Sequence, residues 1–337
     1  MTPKQQDLQT AKQIVRAAMA ETERDIVKLS DHVSATYHWR GVMPFFELDG
    51  VETVLDKFWH PLTTSFSALH RREAIFFAGF NQHAEEEIWT CSQGHFVGLF
   101  DQDFVGIPAN QKTSFIPYAE FHRVNLEDKV IEETALFIDL IALQQQVGLD
   151  PIPTQTGSRI MHPSPLTRDG VRLETDDPAE TEKTRELLDL MIQDLADQNK
   201  RGAVACPPDV LRKTWNEDMA WYGPAGIGTA ITIPRYQVQH QTPFRTGLGD
   251  KVFNGHVCRI TEGHYSGWFG WPNLNNRNLG GFLGLEASDT LAEMRVVDIY
   301  RRDGDKLAEN WVYIDLLYYV SQHGIDLLKN PDALHKR

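Results

Sequence analysis

At 337 residues the chain has room for about two domains of ordinary size, each able to bury a core without disulfides or a structural metal. Its 41% hydrophobic and 24% charged content excludes a disordered chain, and a net charge of −14 excludes nucleic acid as the expected partner, since a phosphate backbone calls for a basic face. No apolar run approaches the roughly 18 to 20 residues of a membrane span, and the opening MTPKQQDLQTAKQ lacks a secretion-signal core, so a cytoplasmic protein with no membrane partner is expected.

In chain order, Leu8, Ala11, Val15, Ala18 and Met19 fall at helical spacing and predict an amphipathic first helix. Strands follow, rich in aromatic and β-branched residues, and the chain then repeats itself. HWRGVMPF from His38 answers AWYGPAGI from Ala220, and QGHFVGLF from Gln93 answers EGHYSGWF from Glu262. The segment from Gly106 to Arg123 answers Gly284 to Arg301, and Asp128 to Gly148 answers Asp305 to Gly324. Between the copies, Pro151, Pro153, Pro163 and Pro165 favour an extended connector. Asp177 and Pro178 then suit the cap and first turn of a second helix carrying Leu187, Leu188, Met191, Ile192 and Leu195. Each copy closes on a long antiparallel pair, with Asp303-Gly304 as the turn in the second. The expected division is a first copy over residues 1–149, a connector over 150–176 and a second copy over 177–337.

Specific residues carry a family resemblance: W-Y-G-P from Trp221, Q-H-Q at Gln239 to Gln241, G-W-P from Gly270, D-I-Y-R from Asp298 and E-N-W-V-Y-I-D from Glu309. With these motifs the second copy, and more loosely the first, resembles the SnoaL-like polyketide cyclases of the nuclear-transport-factor-two-like superfamily. The resemblance implies an α+β fold of two tandem cone-shaped domains, each a curved antiparallel sheet wrapped around N-terminal helices with an apolar pocket. It also implies catalysis without cofactors, by acid and base side chains acting on a small-molecule substrate. Related single domains pair, so a fused pseudo-dimer within one chain is expected, open to further homo-oligomers.

Abstracting a proton beside a carbonyl needs a carboxylate or imidazole whose pKa is lifted by an apolar pocket, and a donor for the developing oxyanion. Asp298 and Asp315 are the candidate bases, each in phase with bulky apolar neighbours, and His240 is the proton partner. Trp221, Tyr222, His256, Arg259, Trp271, Asn310, Trp311 and Tyr313 are candidate substrate-binding residues, while Glu120, Asp139 and Trp39 are first-copy equivalents. Structural alternatives stand beside these roles. Asp315 and Asp139 can cap the closing helical turns, Asp298 and Glu120 can pair with Arg295 and Arg123, and the aromatic residues can be core. Where many members have His-Trp followed by an acid or amide, this chain has Asn310, Trp311 and Val312, and Glu133, Thr134 and Ala135. That departure puts cyclase chemistry proper in question.

No His-Glu-x-x-His or paired-cysteine spacing calls for a metal, and Cys91, Cys206 and Cys258 read as buried small hydrophobes. The run GPAGIG from Gly223 has neither the spacing nor the preceding strand of a dinucleotide loop. The leading expectation is a cofactor-independent cyclase, isomerase or lyase working in the second copy. A noncatalytic binding or scaffold protein is the rival, and hydrolysis of an epoxide or ester, with water held by Asn310 and Tyr313, is a third reading.

Overall fold

A computed structural model describes residues 1–159, 161–202 and 206–335. The chain divides into two compact units, Met1–Leu149 with Pro163–Thr175, and Asp150–His162 with Asp176–Arg337. The proline-rich segment is thus shared out, its first half belonging to the second unit and its second half to the first.

In the first unit, Thr2 and Gln5 exchange side-chain and backbone hydrogen bonds as a capping box, and Pro3 opens the helix Pro3–Thr22. This helix buries Ala11, Val15, Ala18 and Met19 against the sheet. The strands are β1 (Val33–Gly41), β2 (Phe46–Asp49), β3 (Phe66–Asn81), β4 (Ala84–Phe100), β5 (Thr113–Asn125) and β6 (Val130–Ile138), in the order β2-β1-β6-β5-β4-β3. A helical segment with a π turn at Leu55–Trp59 joins β2 to β3. Residues from the connector add to this unit: Val171 bridges Phe76, whose amide donates to the Gly170 carbonyl at 2.9 Å.

The second unit repeats the plan. Asp177 accepts a hydrogen bond from the Ala179 amide and Pro178 opens the helix Pro178–Lys200. Its strands are β7 (Trp215–Tyr222), β8 (Ala230–Ile231), β9 (Leu248–Phe253), β10 (Cys258–Glu262), β11 (Tyr265–Asn278), β12 (Leu291–Asp303) and β13 (Lys306–Ile314). The order is β10-β11-β12-β13-β7-β8, with β9 also on β11, so β9 and β10 together stand where β3 stands in the first unit. A second π turn, Gln237–Gln241, falls between β8 and β9. Gly304, at φ +59°, makes the turn between β12 and β13, a backbone region that glycine enters without steric cost. Ser158 of the connector bridges Thr229, and the backbones at Gly157 and Gly228 come so close that a Cβ on Gly157 would lie 2.6 Å from the Gly228 carbonyl carbon.

Each sheet is mixed rather than purely antiparallel. β1 runs parallel to β6, and β7 parallel to β13; all other pairings between the named strands are antiparallel. A whole helical segment and further strands separate each parallel pair, far more chain than such a connection needs. Pairing irregularities between Glu73 and Ile75 in β3, and between Gly270 and Leu274 in β11, bend the long strands.

Strand register corrects one part of the sequence repeat. Trp268 pairs with Asp298 as Ser92 pairs with Glu120, which makes Trp268 the partner of Ser92 across the copies. His95 then lies in the middle of β4, whereas His264 lies in the β10–β11 turn. The two Gly-His blocks match as letters only. The half-buried His95 is pushed down to about 4 by desolvation, while His264 sits 3.3 Å from Glu180 at the surface.

Candidate functional site

Side chains alternate between the two faces of a strand, so register decides which candidates meet. In β12, Asp298 lies opposite Trp268 on β11 and Val312 on β13, and Tyr300 lies opposite Asn310, which in turn pairs with Trp221 on β7. These residues share one face, as does Arg259, opposite Trp268 on β10. It is the face the helices cover: Arg259 pairs with Asp189 of the helix Pro178–Lys200, and Trp221 packs against Tyr236 and His240.

Asp298 is half-buried there and has no ion-pair partner among the described residues. Burial lifts its carboxyl to about 6, against hydrogen bonds from Asn310 and Tyr300 that pull it down. The Asn310 amide nitrogen is 3.3 Å from its Oδ1. Tyr236 feels the same carboxylate, and both tyrosine hydroxyls are pushed up, chiefly by burial, so they remain donors. His240, in the second π turn, stacks on Trp221 with ring centroids 3.8 Å apart and lies 5.4 Å from the Tyr236 ring. Burial pushes His240 down to about 3, so it is a neutral imidazole at physiological pH. Arg259 stacks over Trp268 at 4.3 Å, with His256 5.3 Å from the same ring on the other contact.

Other candidates are not brought to this face. Asp315 has the phase of Trp311 and Tyr313, which lie opposite Ile299 and Val297, so it belongs to the other side of the sheet. There its side chain accepts from the Tyr318 amide at 3.2 Å and lies 3.6 Å from Arg295. Asp315 therefore cannot converge on a ligand together with Asp298. Arg295 is held between Trp271 at 4.0 Å and Tyr318 at 3.9 Å, which places Trp271 in this structural cluster. Tyr222 donates to Glu309 at 3.1 Å and packs on Trp311, and Tyr313 packs on His162 of the connector, all on that second face. A water held between Asn310 and Tyr313 is likewise ruled out by the sheet that separates their side chains. Substitution D315A is expected to lower stability by about 3 kcal/mol, through loss of the cap and of the Arg295 counter-charge, with the Asp298 titration unchanged. Urea unfolding and carboxyl-resolved NMR check the two halves of that statement.

The first unit has the same framework and different chemistry. Trp39 pairs with Thr134, Thr134 with His122, and Glu120 with Leu136, so Trp39, Thr134, His122 and Glu120 stand for Trp221, Asn310, Tyr300 and Asp298. Asp139 caps the helix Leu140–Gln146 by accepting from the Ala142 amide at 2.9 Å, as Asp315 does in its copy. The expected ion pairs are not formed: Arg123 meets Glu87, Glu132 and Glu133, while Glu120 is held by Arg71, whose Nη2 donates to both carboxylate oxygens at 3.1 and 2.9 Å. Burial works to raise Glu120, but Arg71 and then His122 outweigh it and hold the carboxyl at about 2. His122 bonds Thr134 at 2.9 Å, and a cavity of about 20 Å³, lined by Trp39, Arg71, Glu120 and His122 among others, lies beside the pair.

Tyr300, Tyr236 and Arg71 belong to these sites and were not among the sequence candidates. Tyr300 shares the phase of Asp298 two residues away, which is a readable signal. Arg71 lies 49 residues from Glu120 and carries none.

Solved structures resemble the chain at the level of a single unit. The provisionally named SnoaL-like polyketide cyclase from Jannaschia sp. CCS1 is 14% identical, covering 44% of this chain and 95% of its own, with a TM-score of 0.35. The NTF2-like proteins from Burkholderia thailandensis E264 and Burkholderia xenovorans LB400 are 14% and 15% identical. They cover 40% and 42% of this chain and 95% and 96% of their own, with TM-scores of 0.32 and 0.30. No protein-family model and no curated protein matches the chain. The chain itself is an α+β protein of two units, each with its own mixed sheet and N-terminal helices.

Proposed function

We propose that the second unit is a cofactor-independent acid/base site acting on a small carbonyl-containing organic molecule, as a cyclase, isomerase or lyase. The observation that carries this reading is Asp298: an acid with no cationic partner among the described residues, on the helix-covered face, with its carboxyl at about 6. A base with that pKa is mostly ionised at pH 7 and still basic enough to take a proton from a carbon beside a carbonyl. The Tyr300 and Tyr236 hydroxyls and the Asn310 amide are the donors for the enolate oxygen that results. Neutral His240 serves as a hydrogen-bonding partner in the proton transfer, not as a charged acid. Trp221, with His256 and Arg259 around Trp268, supplies the walls.

A noncatalytic binding protein is the second reading, favoured by the first unit, whose equivalent acid is consumed in an ion pair. Proton exchange decides between them. A panel of small ketones and 1,3-dicarbonyls in deuterated water, followed by proton NMR, is expected to lose α-protons faster with the protein than with buffer. The rate should rise through about pH 6 as Asp298 ionises and level off above it. Saturable binding without exchange for any compound between about pH 4 and 8 would establish the binding protein instead.

A further inference from the structure

We infer that Arg71 is a resident plug that silences a latent second acid/base centre, built on Glu120 in the first unit. The inference rests on the reading of Asp298 given above, because Glu120 occupies the same register position. Three features of Arg71 support it. Its guanidinium spans from β3 to β5 and takes both oxygens of Glu120. It is boxed by rings, 5.3 Å from Trp59, 5.0 Å from Phe96 and 5.9 Å from Tyr118, and its side chain, only 13% exposed, fills space on the helix-covered face. The second unit has no cation there: Arg71 pairs with Phe96 and Phe96 with Ile116, just as Phe253 pairs with Leu274 and Leu274 with Met294. Phe253 is 63% exposed and carries no charge to set against Asp298.

The other parts of a proton-transfer site remain around Glu120. The Trp39 indole nitrogen is buried without a hydrogen-bond partner among the described residues, and Trp39 is one of the residues lining the cavity, which has room for about one water. The titratable and charged groups that face the pair are Glu73 on β3, Tyr118 and His122 on β5, Tyr37 on β1 and Glu23 after the first helix. Of these only His122, 3.5 Å away, is an ion-pair neighbour of Glu120 besides Arg71.

The test combines R71A with D298N, which removes the second-unit base. R71A/D298N is expected to regain at least ~10-fold in α-proton exchange over D298N, and to lose that gain with E120Q or with millimolar ethylguanidinium, which refills the vacated place. Glu120, followed by carboxyl-resolved NMR, should titrate far below the normal carboxylate range in the wild type and above it in R71A. No gain in R71A/D298N, while the wild type exchanges, overturns the proposal. If the wild type exchanges nothing, the Asp298 reading falls. The plug then stands or falls on the Glu120 titration and on one-to-one binding of ethylguanidinium to R71A. Should R71A fail to fold, the wild type still decides: a Glu120 midpoint in the ordinary carboxylate range overturns the plug.

Discussion

D298N is expected to lower α-proton exchange by roughly 10² to 10⁴-fold and, at pH 7, to stabilise the second unit by about 2 kcal/mol. The two effects have one cause. A carboxylate kept half-buried without a counter-charge is basic because the fold disfavours its ionised form, and that same disfavour is a cost to stability. The sign follows from linkage. Folded Asp298 titrates at about 6 and the unfolded residue near its ordinary 3.8, so the unfolded chain gives up its proton first as pH rises. Stability from this group is fully present below about 4 and is lost as pH climbs to about 6. Asparagine keeps the bond to Asn310 in form and removes the charge, so the pH dependence should vanish with the activity. Thermal melts from pH 4 to pH 8, alongside exchange rates, check both effects on one preparation. A destabilised D298N would show that the carboxylate is a structural element.

The second large effect is in the other unit, with the opposite sign. R71M leaves Glu120 buried with only His122 beside it, and should cost about 3 to 5 kcal/mol in the first unit at pH 7. In the wild type the folded carboxyl is held at about 2, below its ordinary 4.5. Its contribution is therefore present above about 4.5 and is lost as pH falls toward 2. Wild-type acid unfolding should carry this component, and R71M should lack it. The penalty in R71M should shrink as pH is lowered, since protonation relieves the buried charge. Denaturant titrations at about pH 7 and pH 3 measure the difference, and an R71M penalty that does not change with pH would show that packing on Trp59 and Phe96 is all that Arg71 supplies.

The repeat and the two closing strands were legible because turn chemistry and alternation are local. Asp303-Gly304 makes the last hairpin, but a one-residue register shift between Arg301 and Arg302 separates that turn from the pairing of Tyr300 with Asn310 and of Asp298 with Val312, so the turn alone does not give those pairs. The division of candidates between faces was less accessible. Both faces of β12 and β13 carry buried large residues, Met294 and Tyr300 on one, Trp311 and Tyr313 on the other, so apolar phase marks two interiors and cannot say which one the helices cover. Asp298 and Asp315 consequently looked alike in sequence, though one faces the helices and the other caps a turn. The contrast between Asp298 and Glu120 was out of reach for a different reason. It depends on whether a cation arrives from a distant strand, and nothing near Glu120 in the chain announces Arg71.

Site-resolved titration of the two equivalent acids in the wild-type chain tests the central claim most directly, since it needs neither substrate nor variant. Carbon-detected NMR of the side-chain carboxyls should place Asp298 at about 6 and Glu120 at about 2. Both acids titrating together in the ordinary carboxylate range would contradict the account, because the second unit would then hold no tuned base and the first no locked one.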